Sequence, residues 1–204
     1  MRSERSITNN RSAIADKRAA ILRAAIEVFA RNGYFNAKVA DIARAAGVAD
    51  GTVYLYFKSK EEILHSIFDQ TMSEAVKAGR ERVANLTDPR EKLRAIASTH
   101  LELLGRDRDL AIVVQVELRG STKFMEEFSA AGVSDYLQDI RAVIEEGQTA
   151  GVFRLELNPT IAAKIFYGAL DEMATNWILS PRRYDLVPQA DQVLDIFFHG
   201  VNAK

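Results

Sequence analysis

Apolar residues recur at helical spacing along almost the whole chain. In the first short segment they fall at positions i, i+3, i+4 and i+7, as on one face of an α-helix: Val39, Ile42, Ala43 and Ala46. Similar spacing predicts helices over residues 61–86, 89–105, 109–119, 121–131, 134–150, 159–179 and 188–201. Asp88-Pro89 and Asn158-Pro159 are typical helix starts, with a capping side chain before the proline. No segment carries a convincing strand pattern, so the sequence predicts an all-α fold.

Two short helices separated by a glycine follow one another from Val39 to Phe57. Gly47 supplies the open backbone conformation that a tight turn between helices requires. The second helix begins at Asp50 and turns Val53 and Phe57 toward the first. This arrangement predicts a helix-turn-helix, whose second helix enters the DNA major groove. The alternative is a helical hairpin that binds no DNA.

The outer surface of this second helix carries hydroxyl and amine groups, which can bind phosphate oxygens and base edges. Ser59 and Glu62 are spaced as a capping box at the start of the next helix. A lysine beside an exposed helix N-terminus suits phosphate binding, so we expect Lys60 to contact a phosphate. The candidate DNA-binding residues of this region are Gly51, Thr52, Tyr54, Tyr56, Lys58 and Lys60.

Residues 18–64 resemble the N-terminal domain of TetR-family transcriptional repressors. The resemblance rests on the segments AAILRAAIEVFARNGY, DIARAAGV and GTVYLYFKSKEEIL. Two helix-capping positions depart from the family pattern, because Lys38 and Ala49 stand where the family usually has Thr or Ser. We therefore expect Asp50 to cap the recognition helix, and Lys38 to be a candidate DNA contact. The resemblance implies a three-helix DNA-binding domain followed by a helical ligand-binding and dimerisation domain.

Charge divides the chain into a basic head and an acidic body. Residues 1–60 contain eleven Lys and Arg against five Asp and Glu, whereas residues 61–204 contain 16 against 23. A basic end is the electrostatic footprint of a nucleic-acid-binding protein. We therefore predict a DNA-binding domain over residues 1–60, with a flexible arm over residues 1–15. Residues 61–204 are predicted to form the ligand-binding and dimerisation domain.

The composition argues against several other classes of protein. The chain has no cysteine, so disulfide frameworks and thiolate chemistry are excluded. Its apolar runs are far shorter than a membrane span, and its polar N-terminus does not resemble a secretory signal, which together predict a cytoplasmic protein. The three histidines lie on separate predicted helices, without a catalytic or metal-binding motif. We therefore expect neither an enzyme nor a bound metal or cofactor.

The last two predicted helices, at about residues 160–179 and 188–201, have the composition of an oligomer interface. Gly168 permits close helix approach, while Trp177, Phe197 and Phe198 supply apolar area. TetR-like proteins pair through these helices, so the resemblance implies a homodimer; the alternative is a monomer core. A dimer places its recognition helices about 34 Å apart or a multiple of this, matching a palindromic operator. Three polar residues in this region are expected to bond across the dimer, with contact to a ligand as the alternative: Asp171, Glu172 and Asn176.

Residues 46–64, 109–121 and 171–187 resemble a narrower group, the FadR-type regulators of fatty-acid degradation in Bacillus and Thermus. The resemblance implies a long-chain acyl-CoA effector, which binds the body and releases the DNA. Such a ligand requires an apolar tunnel for its acyl chain and cations for its CoA phosphates. Arg119 is the favoured phosphate contact. The candidate ligand residues are Leu104, Arg106, Arg108, Val114, Arg119, Phe124, Phe128, Ile144, Phe166 and Leu170. The alternative is a TetR-like repressor of an efflux or other gene, responding to a different lipophilic ligand.

Overall fold

The computed structural model describes residues 2–117, 119 and 132–201, and these residues form two compact units. The first unit covers Met1–Phe68 and the second covers Asp69–Lys204. The described part of the chain contains nine α-helices and no β-strand, which confirms the predicted all-α fold. These helices are α1 (Arg2–Asn32), α2 (Val39–Ala45), α3 (Asp50–Tyr56), α4 (Lys60–Val83), α5 (Pro89–Gly105), α6 (Arg108–Ile112), α7 (Gly132–Thr149), α8 (Pro159–Leu179) and α9 (Gln189–Val201).

Helices α2 and α3 form the predicted helix-turn-helix within the first unit. Gly47 has a φ of +68°, a left-handed conformation that side chains disfavour, and the adjacent Val48 N–H closes the turn on the Ala43 carbonyl at 3.0 Å. Val53 and Phe57 are buried as predicted. The predicted cap of α3 is wrong, because Ala49 occupies the N-cap position and the helix start has no side-chain cap.

The proline-bounded helices of the second unit begin where the sequence predicts. The Asp88 carboxylate accepts a hydrogen bond from the Arg90 N–H at 2.8 Å, and Pro89 follows as the first residue of α5. The Asn158 side chain likewise caps α8, accepting from the N–H groups of Thr160 and Ile161. In both helices the proline occupies a position whose N–H has no intrahelical partner.

The core of the second unit lies where α7 and α8 pack against each other and against α5. Its fully buried side chains are apolar and include Leu93, Leu101, Ile140, Ile144, Phe166 and Leu170. Phe153, in the connection after α7, inserts its ring beside Gly147 and is also fully buried. The second unit is therefore a packed helical body with an apolar centre.

Helix α1 extends back to Arg2, and residues 1–32 contain no proline or glycine to end it. The division between the units falls after Phe68, within α4, and the domain boundary at residue 60 with a flexible arm over residues 1–15 stays a prediction. The predicted regular helix over 109–119 is wrong, because α6 gives way to a π-helical turn over Val113–Glu117. Side-chain hydrogen bonds between this turn and α8 accompany its wider, π-helical geometry.

Gly147→Ala should destabilise the second unit by about 1–3 kcal/mol, because a Cβ there would lie 2.1 Å from the ring of Phe153. Thermal unfolding of the full chain measures the change. Gly79→Ala is the matched control, since Gly79 is also helical and its added Cβ meets no atom within 4 Å. Equal melting temperatures for the two variants would contradict the tight packing at Gly147.

Candidate DNA interface and ligand site

Recognition helix α3 presents much of its predicted contact set to solvent. Tyr54 is 57% exposed, Gly51 is exposed, and Thr52 and Tyr56 are partly exposed. Gly51 has no atom within 4 Å of an added Cβ, so the leading end of the helix is open. Lys38 occupies the N-cap position of α2, where its side chain makes no capping bond and is exposed. Contacts between these residues and DNA stay predictions.

The Lys60 ammonium is engaged inside the first unit. Its Nζ donates to the carbonyls of Tyr34 at 2.6 Å, Ala37 at 2.8 Å and Phe35 at 3.3 Å, and lies 4.5 Å from the centroid of the Tyr34 ring. Burial lowers the pKa of Lys60 from its ordinary value. Three carbonyl partners use all three ammonium donors, so a phosphate contact would require Lys60 to give up one of them. The structure therefore favours a positioning role for Lys60, fixing the connection between α1 and α2.

Lys60→Met should lower the free energy of unfolding by about 1.5–3 kcal/mol, because three carbonyls lose a charged donor. Lys58→Met is the matched variant, since Lys58 is exposed and follows the recognition helix. The Lys58→Met variant should change the free energy of unfolding by no more than about 0.5 kcal/mol. It should also reduce the slope of the logarithm of DNA affinity against the logarithm of salt concentration by about one. Chemical denaturation and DNA titrations at several salt concentrations separate the two roles. A Lys60→Met variant of unchanged stability would contradict the positioning role.

Two of the predicted phosphate-binding arginines have partners within the chain. Arg108 donates to the carbonyls of Trp177 at 3.2 Å and Ile178 at 2.6 Å, and its guanidinium lies 5.1 Å from the centroid of the Trp177 ring. It thus satisfies carbonyls in the last turn of α8. Arg106 is exposed and pairs with Glu102 at 3.2 Å. These positions indicate that Arg108 has a structural role, whereas Arg106 remains accessible to an anion.

A buried carboxylate at Asp171 organises the π-helical turn. Asp171 is 8% exposed and accepts hydrogen bonds from the Gln115 amide at 2.9 Å and from the Arg119 guanidinium. Gln115 also accepts from the Thr175 hydroxyl at 3.2 Å, so both ends of its amide bind α8. The prediction that Asp171 bonds across a dimer is therefore wrong. Arg119, 41% exposed at its side chain, remains available to an anion on the outer side of this group.

Three rings from three different helices, one of a histidine and two of tyrosines, lie close to one another near Asp171. His100 of α5 lies with its ring centroid 5.7 Å from that of Tyr136 in α7 and 5.9 Å from that of Tyr167 in α8. Burial lowers the pKa of His100 to about 4, although the Asp171 charge opposes this effect. Burial also raises the pKa of both tyrosines above the ordinary value. The three side chains are therefore uncharged near neutral pH.

The apolar ligand candidates occupy several environments. Leu104, Ile144, Phe166 and Leu170 are buried in the core, whereas Val114 is half-buried on the π-helical turn. Phe124 and Phe128 lie outside the described residues. Contact of this set with a ligand stays a prediction. No sequence pattern identifies four residues of this region, because they lie on separate elements and share no common spacing: Gln115, Tyr136, Tyr167 and Thr175.

Apolar side chains are also exposed along α8 and α9. Ile161, Ile165 and Ile196 are 57%, 59% and 76% exposed, and they line one groove with Met173 and Phe197. Gly168 lies on the exposed surface of α8, and no atom of the described residues lies within 4 Å of an added Cβ. Burying large apolar side chains is favourable, and contiguous exposed patches of this kind mark interaction surfaces.

The described residues contain no cluster of His, Cys, Asp or Glu able to hold a metal ion. Within the same part of the chain, every helix is too short or too polar to cross a membrane.

Two sequence families match the chain, and their matches meet close to the boundary between the two structural units. Residues 21–67 match the bacterial regulatory proteins of the tetR family, and residues 68–200 match the C-terminal region of YsiA-like proteins. These matches and the helix-turn-helix define a bacterial transcription regulator. The chain belongs to the TetR family. Because this family consists of transcriptional regulators, the prediction of a non-enzymatic protein is confirmed.

The chain is similar over most of its length to regulators of fatty-acid metabolism. The fatty acid metabolism regulator protein of Bacillus subtilis (strain 168) is 38% identical over 184 residues, which are 90% of this chain and 95% of the relative. The solved structure of B. subtilis FadR in complex with stearoyl-CoA matches with a TM-score of 0.85 and 36% identity, covering 90% and 99% of the two chains. FadR of Bacillus halodurans matches with a TM-score of 0.84 and 38% identity, covering 89% and 98%.

Proposed function

We propose that this protein represses fatty-acid degradation genes. It binds a palindromic operator as a homodimer and leaves the DNA when a long-chain acyl-CoA binds the second unit. The similarity to B. subtilis FadR carries this proposal, because it extends over 90% of the chain and that relative was solved with stearoyl-CoA. The candidate site residues and the dimer surface support it from the side of this chain's own chemistry.

The DNA-binding part of the proposal is supported by the first unit. Helix α3 follows the Gly47 turn and keeps Tyr54 exposed, while Lys58 adds an exposed cation beside it. Hydroxyls and cations on such a helix supply phosphate and base-edge contacts. We assign α3 as the recognition helix, with Gly51, Thr52, Tyr54 and Tyr56 nearest the groove, and Lys38 and Lys58 as phosphate contacts.

The dimer part is supported by the exposed face of α8 and α9. Three exposed isoleucines and open Gly168 lie on helices that carry the apolar groove. Pairing with the same face of a second chain would bury these groups in an isologous interface. The resulting two-fold symmetry matches the symmetry of a palindromic operator.

The effector part is supported by two features of the second unit, its buried apolar centre and the accessible guanidinium of Arg119. The acyl chain has apolar partners such as Ile144, Phe166 and Leu170, and the CoA phosphates have a half-exposed guanidinium. An effector releases DNA when it binds the DNA-incompetent arrangement more tightly than the DNA-bound one. The net negative charge of the second unit does not prevent binding of the CoA phosphates, because the phosphates contact the local positive charge of Arg119.

The decisive experiment titrates a preformed protein–DNA complex with stearoyl-CoA below its micelle concentration. The DNA is a palindrome that the protein selects from a random-sequence pool, and release is followed by fluorescence anisotropy. We expect micromolar stearoyl-CoA to release the DNA, while free CoA and stearate do not. Release by a lipophilic cation alone would overturn the fatty-acid assignment in favour of a repressor with a different ligand.

A further inference from the structure

Within the part of the chain that the structure describes, one buried ring nitrogen of the second unit has no hydrogen-bond partner. The Nε2 atom of His100 is inaccessible to solvent and forms no hydrogen bond with the described residues, whereas Nδ1 of the same ring contacts the Tyr136 hydroxyl at 3.2 Å. Leaving a buried polar atom unpaired is unfavourable, so such an atom in a native protein requires an explanation. A bound ligand group is one chemical explanation, because the ring lies in the unit that is proposed to take the effector.

The groups around His100 indicate which of its two ring nitrogens carries the proton. Tyr136 is buried and keeps its phenolic proton, because burial raises its pKa. If the Tyr136 hydroxyl donates to Nδ1, neutral His100 carries its proton on Nε2. The unpaired atom is then an N–H donor, and its missing partner is an acceptor.

The neighbouring groups restrict the charge of that acceptor. The carboxylate of Asp171 acts electrostatically on His100 and disfavours a second anion at the same place. Both oxygens of Asp171 already have donors, Gln115 on one and Arg119 on the other. With His100 itself uncharged, an uncharged acceptor such as a carbonyl is better accommodated here than a carboxylate.

We propose that His100 is a specificity-determining residue, whose Nε2–H donates to the thioester carbonyl of the bound acyl-CoA. This assignment rests on the proposed function. In an acyl-CoA the thioester is the first uncharged acceptor that follows the apolar chain, and the phosphates lie further out. His100 accordingly takes the inner polar group of the ligand. A free fatty acid would instead bring its carboxylate close to Asp171.

A pair of ligands that differ only at the carbonyl tests the assignment. S-octadecyl-CoA has the same chain length as stearoyl-CoA but carries a methylene group in place of the thioester carbonyl. Wild-type protein should bind stearoyl-CoA roughly 5- to 100-fold more tightly, since the analogue leaves the buried donor unpaired. His100→Phe should bind the two ligands with nearly equal affinity, while His100→Gln, which retains an amide donor, should restore part of the preference. Isothermal titration of the full chain measures each affinity.

The outcomes separate this assignment from the function on which it rests. Equal affinity of wild-type protein for the two ligands would overturn the role of His100 and leave the acyl-CoA proposal intact. Failure of the wild-type protein to bind either ligand would overturn both. If His100→Phe keeps the full preference for stearoyl-CoA over S-octadecyl-CoA, another residue must contact the thioester carbonyl. The wild-type comparison needs no variant, so it decides the question even if His100→Phe fails to fold.

Discussion

Gly168→Arg should convert the protein to a monomer and weaken its binding to a palindromic operator by at least about a hundredfold. The Cβ of an arginine at this position meets no atom of the described residues within 4 Å, so the substitution is compatible with the fold of one protomer. In the proposed dimer it would place a charge in an apolar interface, where desolvation is unfavourable. Loss of the dimer separates the two recognition helices, and the linkage of two binding sites accounts for about 10²–10⁴ in apparent affinity.

Sedimentation velocity and DNA titration of the same preparations measure the two effects together. Gln138→Arg is the matched control, because it adds the same charge at an exposed position of α7. It should remain dimeric and bind the operator as wild type does. A Gly168→Arg protein that still sediments as a dimer would exclude this face of α8 from the interface.

Arg119→Gln should raise the stearoyl-CoA concentration needed for DNA release about ten- to a hundredfold. The reason is the loss of a charge-assisted contact to a CoA phosphate, which contributes about 1.5–3 kcal/mol. Asp171→Asn should act in the opposite direction, because it removes the carboxylate that competes with the phosphate for the Arg119 guanidinium. Both variants should bind DNA normally in the absence of ligand.

The measurement is a stearoyl-CoA titration of the protein–DNA complex, with anisotropy as the signal. Arg141→Gln is the control for a lost surface arginine, since Arg141 makes an exposed ion pair with Glu145 at 3.3 Å. It should leave the midpoint of the titration unchanged. If Arg119→Gln has the same midpoint as Arg141→Gln, the phosphate is held elsewhere, and exposed Arg106 becomes the next candidate.

Local signals in the sequence accounted for the helices, whereas long-range contacts decided the roles of the charged residues. Asp88-Pro89 and Asn158-Pro159 predicted helix starts correctly, because a cap and a proline act within one turn. The place of Lys60 at a helix start predicts a phosphate contact, but its partners lie 23 to 26 residues upstream. Arg108 bonds carbonyls 69 and 70 residues away, which no spacing pattern reveals.

The candidate site was only partly predictable for the same reason. Arg119 ends an apolar segment, which makes it a candidate phosphate contact, yet its bond to Asp171 depends on the packing of two elements 52 residues apart. The ring cluster around His100 draws on α5, α7 and α8, so its members share no local pattern. Apolar periodicity identified the helical faces, but it could not distinguish a core side chain from one that lines a ligand tunnel.

The π-helical turn at Val113–Glu117 has a consequence for insertions and deletions. A regular α-helix advances by about 100° per residue, and a π-helical turn contains additional backbone relative to an α-helical one. Deleting one residue there would allow an ordinary α-helix to form, but it would rotate Arg119 by about 100° relative to Gln115. The two side chains could then no longer reach the same carboxylate of Asp171 together. The length of this segment is therefore as much a part of the site as the identity of its residues, and a homologue one residue shorter here would need a different partner for its buried acid.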